Sequence, residues 1–187
     1  MAVGRQKSVL GTWVKRIIII CLIIVVGKMA KDFIMPEMTD VTNMVNMDTE
    51  TLERALEISL ERDTDMAQKV NHYSKDEIST DSADGIGVVY MGGRQVGLHI
   101  DSRNYGMFGL QVGDAEVNVE RRITYEYERK SGVVTDNMQG PSNVTLYVNF
   151  QKNDCLIVIC NNYSNRIVAI TYFNDMKKMT EQLSRVW

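Results

Sequence analysis

Ten consecutive apolar residues, Ile17 to Val26 (IIIICLIIVV), constrain this chain more than any other feature. Arg5, Lys7, Lys15 and Arg16 precede them, and no acidic residue occurs before Asp32. Basic residues are retained on the cytoplasmic side of a membrane, so this order predicts an inside N-terminus over 1–16 and an exported remainder. As a helix the run rises only ~15 Å, about half of a bilayer core. It therefore needs extension or cleavage. Extension through Gly27, Met29, Ala30, Phe33, Ile34 and Met35 gives a single transmembrane helix over 17–35, with Lys28 and Lys31 snorkelling from one face. Cleavage would use the small residues Val25 and Gly27 and release a secreted domain. The uncleaved signal anchor, with Ile17 to Met35 in the lipid bilayer, is the preferred reading.

Beyond the anchor, residues 36–47 have no stable period and read as a tether, and 48–187 is one extracytoplasmic domain of ordinary size. Six basic and no acidic residues fall in the first 31 positions, leaving 15 basic against 24 acidic, a net charge of −9. Nucleic acid needs clustered Lys and Arg, so it is excluded as a partner.

The pattern predicts an α+β fold, an antiparallel sheet with two or three short helices. Asp48 is placed to cap a helix carrying Leu52, Ala55 and Leu56 on one face, and Ile58 and Leu60 to begin a strand. GIGVVYM and RQVGLHI, split by Gly92 and Gly93, form a hairpin. Asp114 is placed to cap a helix through Arg122, and ITYEYE, NVTLYVNF, DCLIVICN and RIVAITYF alternate as strands. Asn174 opens a last helix with Met176, Met179, Leu183 and Val186 inside. Thr64 to Asp84 is weakly patterned. Leu52 to Leu60 and Val117 to Tyr125 run in parallel at a constant offset, and GRQVGLHI echoes NRIVAITY slightly further on. These matches allow an internal duplication over about 48–100 and 114–172, although they are short.

GLQVGDAEVNV resembles the G-x-x-V-G-D-x-E-x-x-V segment of membrane-anchored exported domains of Firmicutes, through Gly109, Val112, Gly113, Asp114, Glu116 and Val119. The closing FQKNDCLIVICNNYSNRIVAITYFND looks like the final hairpin of those domains. The resemblance covers Gly85 to Tyr172 and implies a fold similar to the helix-plus-four-strand units of the outer-membrane assembly lipoproteins and the β-lactamase inhibitor protein. Those units end their helix in Leu-Gly-x-Pro, where this chain reads RRITYEYE. The families mostly bind proteins or cell-wall components, and no catalytic residue carries over.

No cofactor loop, nucleophile elbow or metal-ligand cluster occurs. His99 and Asp101 share a strand face at i and i+2, but a metal site needs three or four ligands; His72 is the one other histidine. Met35, Met38, Met44 and Met47 could offer thioethers to monovalent copper. Tyr125 with Tyr127, and Tyr147 with Asn149, could form platforms for glycan or peptide, although aromatics on strands are more often core. Cys155 and Cys160 point to opposite faces of one strand and cannot bridge each other. The expected function is a non-catalytic envelope module that binds an envelope protein or cell-wall component. The alternatives are a hydrolase built on Glu116, Glu120 and Asp101, and a metal-handling protein using the methionine tether.

Overall fold

A computed structural model of the chain describes Ile20, residues 38–65, Ala67, and residues 78–123, 126–137 and 140–176, with the strand residues between 130 and 141 described by backbone alone. The chain divides into two compact units, Met1–Glu37 and Met38–Trp187. The anchor expected over 17–35 lies outside the described residues except for Ile20, as do Tyr125, His72 and all of the expected last helix beyond Met176. Among the described residues no helix is long and apolar enough to cross a membrane.

The second unit is β-rich, which corrects the α+β expectation. Eleven strands are described, against two short α-helices: α1, Thr49–Leu56, and α2, Val117–Ile123. Eight strands form one antiparallel sheet: β2 (Glu61–Arg62), β3 (Ile78–Ala83), β4 (Ile86–Met91), β5 (Arg94–Ile100), β8 (Glu128–Asn137), β9 (Gly140–Asn149), β10 (Asp154–Asn161) and β11 (Arg166–Phe173). Their order is β2-β3-β4-β5-β11-β10-β9-β8. Strand content was underestimated because two polar stretches pair as strands: ISTDSA in β3 and ERKSGVVTDN in β8. Of ITYEYE, expected as a strand, only Glu128 is in one among the described residues, and Thr124 and Tyr125 lie outside them. Ile123 closes α2, and Tyr127 lies in the connection before β8.

Local chemistry accounts for the helices. The Asp48 side chain accepts the Thr51 N–H at 3.0 Å and caps α1, and Glu57 ends it in the left-handed region. Those Thr51 hydrogen bonds hold the Asp48 carboxyl below the ordinary carboxylate value. Leu52 is fully buried, whereas Ala55 faces solvent. In α2, Val119 and Ile123 stand four apart and both face inward.

The stretch read as a tether belongs to the domain from Thr39 onward. β1 (Thr39–Asp40) runs parallel to β6 (Tyr105–Met107), which pairs with β7 (Leu110–Gln111) in a small second sheet. Val41 is completely buried and Val45 nearly so. The sequence hides this because a two-residue strand has no period to detect.

The element order repeats. A helix and four antiparallel strands, α1 with β2 to β5, are followed by α2 with β8 to β11, and the halves meet where β5 pairs with β11. At this seam Leu98 pairs with Tyr172 and Ile100 with Ile170, while His99 pairs with Thr171, 72 residues away. A shift of that length carries Leu98 to Ile170 and Ile100 to Tyr172, so the seam register maps onto itself. Each half also carries one bulge at the matching place, between Val89 and Tyr90 and between Ile159 and Cys160. An approximate two-fold axis therefore passes through the His99–Thr171 pair. The inward helix positions match as Leu52 with Val119 and Leu56 with Ile123, rather than as Leu52 with Val117, which is exposed.

Both faces of the sheet are buried. One packs under α1, α2 and the small sheet through residues such as Leu52, Leu98, Val119, Leu156 and Ile170. The other gathers Ile78, Val89, Leu146, Ile157 and Phe173, with Met176 against them.

Candidate functional site

A groove of about 510 Å³ runs between α2 and the outer strands β8 and β9, lined by Ala115, Glu116, Val117, Glu120, Arg129, Tyr147 and Asn165. Glu116 and Glu120 stand four apart at the start of α2 and supply one wall. Arg129 and Tyr147 are cross-strand partners, and the bulge directly after Arg129 bends β8 beside the groove. Tyr147 is the floor. Its residue is 3% exposed, and among the described residues its hydroxyl has no hydrogen-bond partner. That hydroxyl lies within electrostatic reach of Arg129, Glu120, Cys160 and Glu116, and burial pushes the phenol up to about 12.

The residues of the G-x-x-V-G-D-x-E-x-x-V segment explain how the groove is held. Gly109 and Gly113 both take positive φ, which the turns around β7 require. Asp114 does not cap α2 as expected. Its carboxylate accepts the Gln111 N–H and the Arg122 guanidinium, at 3.1 and 2.6 Å. Gly113 and Asp114 exchange backbone hydrogen bonds with Ile167, and the Glu116 N–H donates to the Asn165 carbonyl at 2.9 Å. Val119 enters the core. These bonds seat α2 against the start of β11. Glu120 pairs with Arg129 at 3.1 Å, but the half-buried Glu116 carboxylate has no ion-pair partner among the described residues.

The matching end of the first half is built differently. After its bulge that half has Tyr90, whose hydroxyl hydrogen-bonds Thr49 at the start of α1. The second half has Cys160 after the bulge, with Glu116 in the place of Thr49. The second half thus carries a short, buried thiol where the first carries a phenol.

The remaining expected site residues scatter. Asp101 lies beside the Asp84–Gly85 turn, its N–H donating to the Gly85 carbonyl, and is not part of the groove lining. His99 is buried, with Nδ1 2.8 Å from the Thr171 hydroxyl. No group of three His, Cys, Asp or Glu residues is placed to hold a metal among the described residues. Met44 and Met47 pack against the core rather than lining a thioether site, and Met35 lies outside the described residues. Tyr127 and Asn149 are buried, so neither contributes to an exposed platform.

Sequence reasoning missed one buried polar cluster. Tyr172 donates to Asp154 Oδ2 at 3.2 Å, the Tyr127 hydroxyl lies beside the same carboxylate, and Phe108 packs on both rings, stacked at 5.5 Å on Tyr172 and edge-on at 5.8 Å to Tyr127. Burial pushes Asp154 above the ordinary carboxylate value, against the opposing pull of the two phenols and Lys152. Burial also raises Tyr127, and it raises Tyr172 to about 12. None of the cluster's four side chains lines the groove.

No protein-family model matches the chain, and no curated protein does. Among solved structures, an extracellular protein containing a SCP domain from Bacillus anthracis str. Ames aligns with 10% identity and a TM-score of 0.43, over 74% of this chain and 47% of that one. The chain thus spans about half the length of that structure.

Proposed function

We propose that the domain is a non-catalytic binding module of the bacterial cell envelope, working outside the cytoplasm. In this reading the apolar stretch Ile17 to Met35 holds it as a single-pass protein of the cell membrane, and the basic flank keeps the N-terminus inside. The groove between α2 and β8–β9 carries the proposal: a recess with a buried floor, one carboxylate unpaired among the described residues and an exposed apolar rim residue, Val117. Such a recess suits an envelope protein or cell-wall component.

The hydrolase alternative keeps one supporting observation, since Glu116 and Glu120 do share the groove. An acid catalyst must hold a proton near neutral pH, which calls for burial away from cations. The Glu120 side chain is instead 55% exposed and 3.1 Å from Arg129. A nucleophile with an adjacent base is absent from the lining.

The test compares binding with turnover. Full-length protein, immobilised and exposed to an envelope extract, is expected to retain a component that is lost on Glu116→Lys, while ester, phosphate, glycoside and peptide substrates stay intact. Turnover abolished by Glu116→Gln or Glu120→Gln would sink the binding reading and establish the hydrolase.

A further inference from the structure

We propose that the groove selects a lysine side chain presented by a peptide segment of its partner. This rests on the binding reading above. Three observations point the same way. First, the lining holds two carboxylates and one guanidinium, and the Glu120–Arg129 pair leaves Glu116 as the carboxylate without an ion-pair partner among the described residues. Second, the Tyr147 hydroxyl has no hydrogen-bond partner among the described residues, and the residue is 97% buried while lining the groove. Third, Val117 is 62% exposed at the rim, an apolar surface on which a methylene stem can lie.

The geometry discriminates among ligands. An anion is disfavoured because the one lining cation is already engaged by Glu120. A sugar ring stacks on an exposed aromatic face, and the Tyr147 face is covered. Besides the Glu120–Arg129 pair, the lining offers the Glu116 carboxylate, the Tyr147 phenol oxygen and the exposed Asn165 amide, each of which can accept a hydrogen bond. A primary ammonium carries three donors at the tip of a flexible stem and can donate to these acceptors. Beside a low-dielectric floor such charge-assisted bonds exceed their value in open water. The rest of the groove volume can seat residues flanking the lysine.

The probe is a fluorescein-labelled Ala-Lys-Ala-Lys-Ala peptide, with a norleucine counterpart, titrated against the full-length protein in detergent micelles and read by anisotropy. The lysine peptide is expected to bind at least tenfold more tightly than the norleucine peptide. Glu116→Gln should weaken it by about tenfold, as for one charged hydrogen bond of ~1.5 kcal/mol. Tyr147→Phe, which keeps the buried ring, should weaken it several-fold. Glu50→Gln, at an exposed carboxylate on α1 paired with Arg54, should leave it unchanged. Equal binding of the norleucine peptide, or no effect of Glu116→Gln, overturns lysine selection. If the lysine peptide does not bind while Glu116→Lys still abolishes capture from the extract, lysine selection fails and the binding module stands. If capture is also indifferent to Glu116→Lys, both fall.

Discussion

Asp154 shows how a single carboxylate ties stability to pH in this domain. Its folded value lies above the ordinary 3.8 because burial disfavours the charge. The proton-bound form is therefore favoured in the fold. The associated stability is fully present below pH 3.8 and is lost as pH rises through the folded value. Against Asp154→Asn, which carries no titrating group, the natural protein should lose relative stability between acid and neutral pH. Urea midpoints across that range measure the difference, and parallel curves would refute it. The two thiols of β10 give a second prediction. Burial pushes both Cys155 and Cys160 up to about 12, so neither forms thiolate readily. A thiol-disulfide reagent should label both only in denaturant. Their placement on opposite faces was legible from spacing five apart in a strand, and each indeed enters a different core cluster. Asp154 was not legible, because nothing in NDCLIVICN shows that two tyrosines from distant segments converge on it.

Between elements, the tightest fit is at the seam of β5 and β11. Gly97 lies so close to β11 that an added Cβ would collide with the Tyr172 carbonyl oxygen, which is backbone and cannot swing aside. Gly97→Ala should destabilise the domain by ~1–3 kcal/mol, the usual penalty of overpacking. Under α1, Leu52→Ala should lose ~2–5 kcal/mol, because the residue is fully buried and its removal leaves a cavity. Chemical denaturation at fixed pH measures both, and an effect below ~0.5 kcal/mol at Gly97 would show that the seam relaxes. Strong apolar alternation made β4, β5, β9, β10 and β11 readable from sequence. β3 and β8 were not, since their residues are mostly polar and their pairing is decided by neighbours. One missed signal was available: Asp84-Gly85, both at positive φ, is a two-residue hairpin turn and pointed to a strand on each side.

For the molecule as a whole, the repeat locates the groove. The halves agree in strand order and bulge position, and they differ where Tyr90 faces Thr49 in one and Cys160 lies near Glu116 in the other. Filling the second site in the manner of the first, by Cys160→Tyr with Glu116→Thr, should occlude the groove and abolish capture from the envelope extract. Capture that survives would place the binding surface elsewhere. The groove itself was only half visible in sequence. Glu116 and Glu120 announced a shared helix face, but Arg129 and Tyr147 join them through a cross-strand pairing that no local pattern encodes.

The seam also sets an order of events during synthesis. β5 emerges early, yet its partner β11 lies 72 residues later along the seam. Until then one flank of the first half is an unsatisfied ladder of amides and carbonyls, the kind of edge that recruits foreign strands. Contacts of such sequence separation close slowly, because the loop entropy is lost before the pairing returns anything. The nascent first half is therefore the aggregation-prone species, and survival of this chain depends on escorting that bare edge until the last strand arrives.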